Sequence, residues 1–414
     1  MRPLDQTVLE RDVLLKGVWE GLGTPTCSVT GGYVRDRLLG RETFDLDLVL
    51  PGDLETVRGP ARRLAGGLDA TAHVLGRDER RVWRIESPGL KVELWPLGEL
   101  SLDADIRRRD FTVNALMWPL PSGPLDDRVG GVADLEAGTL RAVSRRNLED
   151  DPVRLVRAAR FLAQLTRFEL EPRSQRWVRD LASRVATAPR ERIGQELSKL
   201  VTSAAAVRGF EALLDLDLLE PSAPDPKGCD RRWMKANLEA AARMRAAAHP
   251  QRAALAGAGE AAPLALLLRA WGSPQPDTVA SYAWPRTLRR HAARAAQMLE
   301  DALAVVDAPT RDRRLFIHRA GASFPTVLAL AAAVEPGRTW ARWWRLWLAR
   351  GPELVEPEPL LSGEEIAALL RIAPGPDLGR AVDALTDARV RGEVRTKRGA
   401  ERWLRRFAEE TSER

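Results

Sequence analysis

The stretch Cys27-Ser-Val-Thr-Gly-Gly-Tyr-Val-Arg-Asp36, followed by Phe44-Asp-Leu-Asp-Leu-Val-Leu50, decides the fold of the first part of this chain. In the second segment acidic and apolar residues alternate, as they do in a half-buried strand, so its two aspartates leave the same face. Asp45 and Asp47 then project together while the leucines beside them pack behind. A fold presents a divalent-metal site in this way.

The first segment predicts a phosphate-binding turn. A short β-type run precedes Gly31-Gly32, and an apolar helical face that includes Val34 and Leu38 follows. Backbone N–H groups at such a turn can approach a phosphate, and Arg35 can add a charge-assisted contact. Each pattern alone is also typical of an ordinary turn or a solvated strand end. Together they predict a nucleotide with its Mg²⁺.

Composition limits the class of protein. With 414 residues the chain is long enough for two to four domains. Its net charge of +6, carried mostly by arginine, fits either a solvated basic surface or a polyanion held through phosphates. Cys27 and Cys229 lack metal-type spacing, which predicts a reduced, cytoplasmic protein without disulfides. The N-terminus lacks a signal-peptide core, no window approaches a membrane span, and the scattered histidines predict no zinc site.

Strand patterns are confined to residues 25–120, and the pattern becomes helical after Leu140. We therefore predict an α+β chain with a small N-terminal α/β head and an extended all-helical remainder. The predicted strands are Val29–Thr30, Leu46–Leu50, Val82–Ile85, Lys91–Pro96 and Val113–Met117. Other patterns predict a loop over Pro221–Gly228, two helices and a turn over Ala240–Ala262, and a linker over Pro352–Pro359.

Tryptophan and arginine are interleaved in the segment Trp340–Trp347. Aromatic side chains beside arginines can stack on nucleic-acid bases. The tryptophans also recur at i, i+3, i+4 and i+7, which is the spacing of one helix face. We therefore predict that they pack in a core rather than stack on bases.

A second polar segment, Arg107–Asn114, reads Arg-Arg-Arg-Asp-Phe-Thr-Val-Asn. It is either a charged surface segment or part of the nucleotide site. In the second case Arg109 contacts the triphosphate or the sugar, and Asp110 and Asn114 lie near the ribose, where they can detect a 2′-hydroxyl. The segment Asp127–Gly131 predicts a turn before the helical part.

A third polar group, Asp151, Arg154, Arg157 and Arg160, follows three-residue steps and so forms one ridge of a helix. The aspartates before Pro152 predict an N-cap, with the proline at the first helical position. A carboxylate beside a guanidinium can also read a base edge. Together they match the amino donor and ring acceptor of cytosine or adenine and leave groups unpaired with guanine or uracil.

The order of these motifs resembles that of class II tRNA nucleotidyltransferases and bacterial poly(A) polymerases. The motif resemblance covers residues 30–200, and the tail segments Leu361-Ser-Gly363 and Pro374–Gly379 are similar to the C-terminal domain of bacterial CCA-adding enzymes. The motifs, in chain order, are Gly31-Gly-x-Val-Arg-Asp36, Asp45-x-Asp47, Arg108-Arg-Asp110 with Asn114, Asp127-x-x-x-Gly131, Asp151-Pro-Val-Arg-Leu-Val-Arg-Ala-Ala-Arg-Phe161 and Glu191-Arg-Ile-Gly-Gln-Glu-Leu197.

The resemblance implies a polymerase β-like head over residues 1–138, a neck with the base-reading motif over 139–202, a body over 203–290 and a tRNA-binding tail over 291–414. It implies that Asp45 and Asp47 hold two Mg²⁺ ions, with Glu93 either a third carboxylate or a surface glutamate. Its implied partners are the tRNA 3′ end and CTP, with ATP as an alternative. The remaining implied contacts are Gly32 and Arg35 with the triphosphate, Arg109, Asp110 and Asn114 with triphosphate and sugar, Asp151 and Arg154 with the base, and Arg157 and Arg160 with the nucleotide's surroundings.

Two departures from the family pattern bear on the site and the product. Where the family usually has Glu-Asp-x-x-Arg, this chain has Asp150 in register and Glu149 one residue early, so the shorter carboxylate would support Arg109 or Arg154 by pairing. Members that add the terminal adenosine carry a flexible loop between the third-carboxylate strand and Arg-Arg-Asp. Here only Leu94–Arg107, which contains Asp103-Ala-Asp105, lies between them. The resemblance therefore implies a CC-adding enzyme.

Several alternatives stay open. Complete CCA addition, adenosine-only addition and polyadenylation are the alternatives within the enzyme class. A non-catalytic tRNA-binding protein comes from a different class, and the retained pair Asp45 and Asp47 argues against it. A metabolic nucleotide-binding oxidoreductase is disfavoured because the glycine motif is not Gly-x-Gly-x-x-Gly.

Overall fold

The computed structural model of this protein describes residues 4–76, 81–246 and 260–412. They divide into two compact units, Met1–Ala188 with Asp215–Leu218, and Pro189–Leu214 with Leu219–Arg414. The predicted α+β class is confirmed, because the first unit contains a mixed sheet and the described part of the second is helical. The finer division into head, neck, body and tail stays a prediction.

The centre of the first unit is a six-stranded sheet with the order β3-β4-β5-β2-β1-β6. Strands β2 and β5 run parallel, and the other neighbours are antiparallel. A separate two-stranded parallel ladder joins β7 to β8. The strands are β1 (Cys27–Thr30), β2 (Asp45–Leu50), β3 (Ala72–Leu75), β4 (Val82–Ser87), β5 (Leu90–Pro96), β6 (Met117–Leu120), β7 (Thr139–Leu140) and β8 (Glu169–Leu170).

Helices surround this sheet in the first unit. Short 3-10 turns lie at Thr112–Asn114 and Ala182–Thr187. The α-helices are α1 (Thr7–Glu10), α2 (Val13–Gly21), α3 (Gly32–Leu38), α4 (Leu54–Gly67), α5 (Leu102–Arg107), α6 (Gly131–Ala137), α7 (Arg145–Asp150), α8 (Val153–Gln164) and α9 (Pro172–Leu181).

Two strand predictions need correction. Val113–Met117 was expected to be a strand, but its first residues form the 3-10 turn and β6 starts only at Met117. Thr112 explains the turn, because its Oγ1 donates to the buried Asp134 Oδ2 at 2.6 Å and fixes the backbone locally. Strand β3 escaped prediction because it lies at the sheet edge with its side chains half-buried or exposed, so it lacks an apolar alternation.

The predicted cap of α8 is also wrong. Helix α7 ends at Asp150, Asp151 is its C-terminal cap residue, and Pro152 is the N-cap residue of α8. A second short helix therefore precedes the proline where only a cap was expected. Asp151 consequently lies outside α8, although it stays next to its first turn.

The second unit consists of packed helices. Its 3-10 turns lie at Pro226–Gly228, Ala280–Tyr282 and Gly321–Ser323. The α-helices are α10 (Arg190–Val201), α11 (Ala206–Asp215, whose last residue belongs to the first unit), α12 (Leu219–Ser222), α13 (Arg231–Ala236), α14 (Leu238–Ala246), α15 (Ala261–Ala270), α16 (Arg286–Ala304), α17 (Thr310–Ala320), α18 (Phe324–Val334), α19 (Ala341–Val355), α20 (Gly363–Leu370), α21 (Pro376–Arg391) and α22 (Lys397–Ser412).

Three predicted breaks in this unit have different outcomes. Helix α12 and a 3-10 turn occupy most of the predicted loop 221–228. The predicted linker 352–359 starts too early, because α19 continues through Pro352 to Val355. The buried Leu354 holds this last turn, and its carbonyl oxygen lies 2.8 Å from His318 Nδ1. The turn predicted within 240–262 falls on residues outside the described ranges.

The tryptophan segment packs in a core, as its spacing predicts. Trp340, Trp343 and Trp344 are at most 5% exposed. Trp343 Nε1 donates to Val306 O at 2.9 Å, and its ring stacks on Phe324. The prediction of core packing is therefore confirmed for these three side chains.

One helical stretch changes the expectation about membrane spans. Thr310–Val334, which combines α17, α18 and the 3-10 turn between them, is long and apolar enough to cross a membrane by length and composition. The expectation that no window approaches a span was therefore wrong. Because 72% of its most apolar window is buried inside the structure, the stretch also fits a core position.

Candidate active site

The two aspartates lie on the central strand β2. Asp47 is opposite Thr30 on β1 and Glu93 on β5, and Asp45 is opposite Lys91. The leucines that alternate with them are fully buried, so the two carboxylates face away from the sheet's apolar side as predicted. Burial, followed by the negative charges of Glu93 and Asp45, raises the pKa of Asp47 to about 6.

Two basic side chains border this acidic face. Lys91 Nζ lies 3.0 Å from Asp45 Oδ1 and 3.2 Å from Glu93 Oε1. Arg84 Nε donates to the same Glu93 oxygen at 3.0 Å. Burial lowers the pKa of Lys91, but the charges of Glu93 and Asp45 outweigh burial and hold this pKa above its ordinary value. Glu93 is thus engaged by two cations.

The donor set at β2 fits a divalent cation. Carboxylate oxygens are the ligands that Mg²⁺ prefers. The pKa of Asp47 is raised first by burial and then by the charges of Glu93 and Asp45, and a bound cation would favour its charged form. Within the described ranges no group of three or more His, Cys, Asp or Glu side chains could hold a metal ion. Asp45 and Asp47 therefore offer a pair of carboxylates only, and their role as metal ligands, like that of Glu93, stays a prediction.

The glycine turn passes close to this pair. Gly31 has φ 71, a backbone conformation that favours glycine. A Cβ at this position would lie 3.3 Å from Asp47 Oδ2 and 3.7 Å from Arg109 Nη1. The missing side chain therefore lets the turn, the carboxylate and a guanidinium approach one another. Gly32 follows as the first residue of α3.

Arg35 is anchored inside the protein. It donates to Asp36 through Nε at 3.0 Å and Nη2 at 2.7 Å, and its Nη1 donates to Asn114 Oδ1. Its guanidinium carbon also lies 5.1 Å from the ring centre of Phe161. The sequence placed Arg35 at a triphosphate, and the structure places it where it links α3 to the turn before β6 and to α8.

The buried Asp110 and Asn114 form one polar group with the half-buried Arg157. Asp110 Oδ1 accepts from Asn114 Nδ2 at 3.1 Å, and Oδ2 accepts from Arg157 Nη1 at 2.9 Å. Burial alone would raise the pKa of Asp110, but Arg157 and the hydrogen bond from Asn114 bring it down to about 2. Asp110 is therefore held as a carboxylate, and α8 is tied to the arginine-rich segment before β6.

The base-reading candidates lie at the start of α8. Arg154 Nη1 donates to Asn147 O at 3.0 Å, and Arg154 Nε lies 3.9 Å from Asp151 Oδ2. Arg160 is buried, with its guanidinium 3.8 Å from the ring centre of Phe161. The predicted ridge is therefore mixed: its arginines are half-buried at its start and buried at Arg160.

The predicted support by Asp150 is wrong. Its exposed carboxylate lies 3.8 Å from Arg146 Nε, and neighbouring Glu149 accepts from Arg145. Asp105 takes this role for Arg109, since its Oδ2 accepts from Nε at 3.1 Å and from Nη2 at 2.7 Å. Asp105 and Arg109 are four residues apart around the end of α5, and this spacing could have predicted the ion pair from the sequence.

Asn147 is the second residue that sequence reasoning missed. Its buried Nδ2 donates to both Arg107 O and Arg109 O at 2.7 Å, while its carbonyl oxygen accepts from Arg154. The Asn147 side chain thus holds the arginine segment, and its backbone carbonyl holds Arg154, one of the base-reading candidates. The two side-chain contacts span about forty positions of sequence, so no local pattern could reveal them.

Comparison with known proteins assigns these features to a class. Residues 27–141 match the poly A polymerase head domain, and residues 167–228 match a domain described as a probable RNA and SrmB-binding site of polymerase A. The matched head contains the sheet, the glycine turn and the aspartate pair. The fold and the site therefore define a nucleotidyltransferase.

Proteins that are similar over nearly the whole chain narrow this class to one family. The chain is 33% identical to an A-adding tRNA nucleotidyltransferase of Deinococcus radiodurans, over 94% of this chain and 96% of that one. It is 32% identical to a CC-adding tRNA nucleotidyltransferase of Geobacter sulfurreducens, over 90% of each. The crystal structure of the Bacillus stearothermophilus CCA-adding enzyme with CTP superposes with a TM-score of 0.69 over 100% of both chains at 23% identity, which supports the fold. The chain belongs to the CCA-adding family of tRNA nucleotidyltransferases.

Proposed function

We propose that this tRNA nucleotidyltransferase adds two cytidines from CTP to the 3′ end of tRNA and then stops. The main observation that supports this proposal is the short connection after β5. That strand ends at Pro96 and α5 begins at Leu102. Leu97 N donates to Leu50 O at 2.9 Å, and Gly98 N donates to Gly52 O at 2.8 Å.

This connection bears on the product because it replaces the flexible loop of relatives that add the terminal adenosine. A connection of five residues that is hydrogen-bonded to the end of β2 and the residues after it cannot swing over the nucleotide as a long loop can. The side chains of the proposed base-reading segment then keep a single arrangement. A fixed arrangement supports the addition of one kind of nucleotide.

The chemistry proposed for the site is in-line nucleotidyl transfer. Mg²⁺ ions at this site would lower the pKa of the tRNA 3′-hydroxyl and stabilise the leaving pyrophosphate. Asp45 and Asp47 supply the carboxylate oxygens that hold them. Arg109 is the guanidinium best placed for the triphosphate, because it shares the Gly31 turn with Asp47. Arg35 then acts by positioning Asn114 rather than by touching phosphate.

Base selection is proposed for Asp151 and Arg154. Asp151 is buried and Arg154 is half-buried at the first turn of α8. A carboxylate acceptor beside a guanidinium donor matches cytosine or adenine and leaves polar groups unpaired against guanine or uracil. The crystal complex of the Bacillus enzyme with CTP and that of a Thermotoga maritima CCA-adding enzyme with tRNA support CTP and tRNA as the partners. The cytoplasmic location predicted from the sequence belongs to this proposal.

An extension assay tests the product directly. Purified protein is incubated with Mg²⁺ and a tRNA that lacks its terminal CCA, with CTP or ATP singly and together. We expect growth by two nucleotides with CTP, no growth with ATP alone, and no third nucleotide with both. Growth by three nucleotides ending in adenosine would refute the argument from the short connection.

Adenosine-only addition is the second candidate, favoured by the A-adding relative that spans 94% of this chain. A tRNA that already ends in CC separates the two candidates. Incorporation of one AMP into this tRNA, without CMP incorporation into the shorter one, would establish the second candidate and exclude the first.

A variant pair tests the aspartate assignment. Asp47→Ala should abolish transfer and leave tRNA binding within about twofold, because it removes a metal ligand and no RNA contact. Glu99→Gln is the matched control, since Glu99 is exposed and loses the same charge. Retained turnover in Asp47→Ala would refute the metal assignment.

A further inference from the structure

Three arginines from separate elements of the second unit approach one another. Arg314 lies on α17, Arg350 on α19 and Arg395 just after α21, and we call them the arginine cluster. Helix α17 packs against both α19 and α21. A Cβ on Gly392 would lie 2.8 Å from Arg314 Nη1 and 3.9 Å from Arg395 Nη2, so both guanidinium groups reach the same point beside this glycine.

Among the described residues, only Arg350 of the cluster pairs with a carboxylate. Arg314 has no ion pair among the described residues, and its buried Nε has no hydrogen-bond partner. Arg350 pairs with Glu353 of its own helix at 3.0 Å, and Arg395 Nε donates to Gly392 O at 3.3 Å. Burial, followed by the charges of Arg350 and Arg395, lowers the pKa of Arg314. Like charges this close are unfavourable until an anion joins them.

Helix-end electrostatics explain only part of this arrangement. Basic side chains at a helix C-terminus interact favourably with the helix dipole, which accounts for Arg395 beyond the end of α21. The same reason does not bring Arg314 and Arg350 there from two other helices. Asp387 of α21 does not neutralise the cluster, because its ion pair, at 3.0 Å, is with Arg319.

We propose that the arginine cluster binds a phosphate group of the tRNA backbone. This inference rests on the proposed function, which supplies the RNA. The two guanidinium groups that reach one point, those of Arg314 and Arg395, suit the oxygens of a phosphate, which accept charge-assisted hydrogen bonds from more than one donor. Arg350 and Arg395 are exposed, so the cluster is open to an extended polyanion. Free oligophosphate has the same chemistry and is distinguished by the experiment.

The test measures tRNA binding with and without the central arginine. Filter binding of a tRNA lacking its 3′ CCA is measured for wild type and Arg314→Gln between about 50 and 300 mM salt. Loss of one phosphate contact should weaken Kd roughly tenfold and reduce the slope of log K against log salt by about one. The KM for CTP should not change. Arg314→Lys, which keeps the charge, should bind with intermediate affinity.

Arg311→Gln is the matched control, because it removes one positive charge from the same helix at an exposed position. It should leave the Kd within about twofold. Thermal unfolding excludes a folding defect: Arg314→Gln removes like-charge repulsion, so its Tm should stay equal or rise. Equal Kd values and salt slopes for Arg314→Gln and wild type would overturn the proposal.

Two further results separate the remaining explanations. If inorganic tripolyphosphate raises the Tm of wild type but not of Arg314→Gln, while tRNA binding is unchanged, the cluster binds free oligophosphate and the RNA assignment fails. If wild type transfers no CMP or AMP and tRNA binding still depends on Arg314, the proposed function fails and the phosphate site stands.

Discussion

Asp105 holds Arg109 by two hydrogen bonds to a single carboxylate oxygen, from Nε at 3.1 Å and Nη2 at 2.7 Å. Its other oxygen accepts from Arg108 Nε at 3.0 Å. Asp105 is 6% exposed, so these bonds are shielded from water. A guanidinium fixed on two nitrogens has one orientation, and its third nitrogen, Nη1, is the one beside the Gly31 turn.

The first prediction concerns this orientation. Asp105→Asn turns one acceptor oxygen into an amide donor that faces a guanidinium, so Arg109 should lose its alignment. We expect kcat/KM for CTP to fall roughly 10- to 100-fold, the worth of a charge-assisted hydrogen bond. Steady-state transfer to a trimmed tRNA measures this effect.

Asp103→Asn is the control for this prediction. Asp103 pairs with Arg107 at an exposed position two residues away, so its loss should change kcat/KM by less than about threefold. Equal effects of the two substitutions would show that Asp105 does not position Arg109.

The second prediction concerns Asn147. Asn147→Ala leaves the carbonyl groups of Arg107 and Arg109 without their buried donor, which should lower the free energy of unfolding by about 1–3 kcal/mol. Urea unfolding measures this loss. The backbone carbonyl that accepts from Arg154 remains in the variant, but it loses the side-chain bonds that hold it against the arginine segment, so the KM for CTP should rise as well.

Asn237→Ala provides the comparison, since Asn237 Nδ2 donates only within its own local turn, to Trp233 O at 2.9 Å. Its free energy of unfolding should fall by less, and its KM for CTP should not change. An unchanged KM in Asn147→Ala would contradict the proposed link between the two segments.

Patterns within a few residues predicted the parts of this site that local geometry determines. Asp45 and Asp47 alternate with buried leucines, and a strand leaves such a pattern little freedom. The alternation also set which face carries the carboxylates. Four of the five predicted strands lie within observed strands for the same reason, namely that each alternates apolar and polar side chains or is continuously apolar.

The features of the site that the sequence did not predict depend on contacts between residues far apart in the chain. Arg157, one partner of Asp110, and the two acceptors of the Asn147 side chain lie about forty positions away, where no periodicity operates. The proline in α19 also shows the limit of local patterns. A local rule would end the helix at this proline, but burial of Leu354 keeps the last helical turn.

The third prediction concerns pH. The folded pKa of Asp110 is about 2, below its ordinary value near 4, so its contribution to stability is fully present above about pH 4 and is lost as the pH falls towards 2. Asp110→Asn should therefore lower the free energy of unfolding at pH 7 by about 2 kcal/mol. The difference from wild type should shrink between about pH 4 and pH 2.

Urea unfolding at several pH values measures this trend. Asp180→Asn is the control, because its exposed ion pair with Arg145 should contribute less than about 1 kcal/mol at any pH. A difference between Asp110→Asn and wild type that stays constant down to pH 2 would contradict the depressed pKa.

The last prediction uses two glycines that share the same positive φ. Gly31 and Gly40 both have φ 71, so alanine at either position should cost about 1 kcal/mol of backbone strain. Only at Gly31 would the added Cβ meet other groups, 3.3 Å from Asp47 Oδ2 and 3.7 Å from Arg109 Nη1, because nothing lies within 4 Å at Gly40. Gly31 also has ψ −137, outside the left-handed helical region, so thermal unfolding should show a Tm loss for Gly31→Ala at least as large as that for Gly40→Ala.

Activity should separate this pair, because displacement of Asp47, the proposed metal ligand, and of Arg109, the proposed phosphate contact, acts on the reaction and not on the fold. We expect Gly31→Ala to lower kcat/KM for CTP roughly 10- to 100-fold and to weaken Mn²⁺ binding in a calorimetric titration, while Gly40→Ala keeps both near wild type. If both variants lose activity in proportion to their Tm, the close approach at Gly31 has no role beyond the turn. If only Gly31→Ala loses Mn²⁺ affinity, the aspartate pair and the glycine turn form one site.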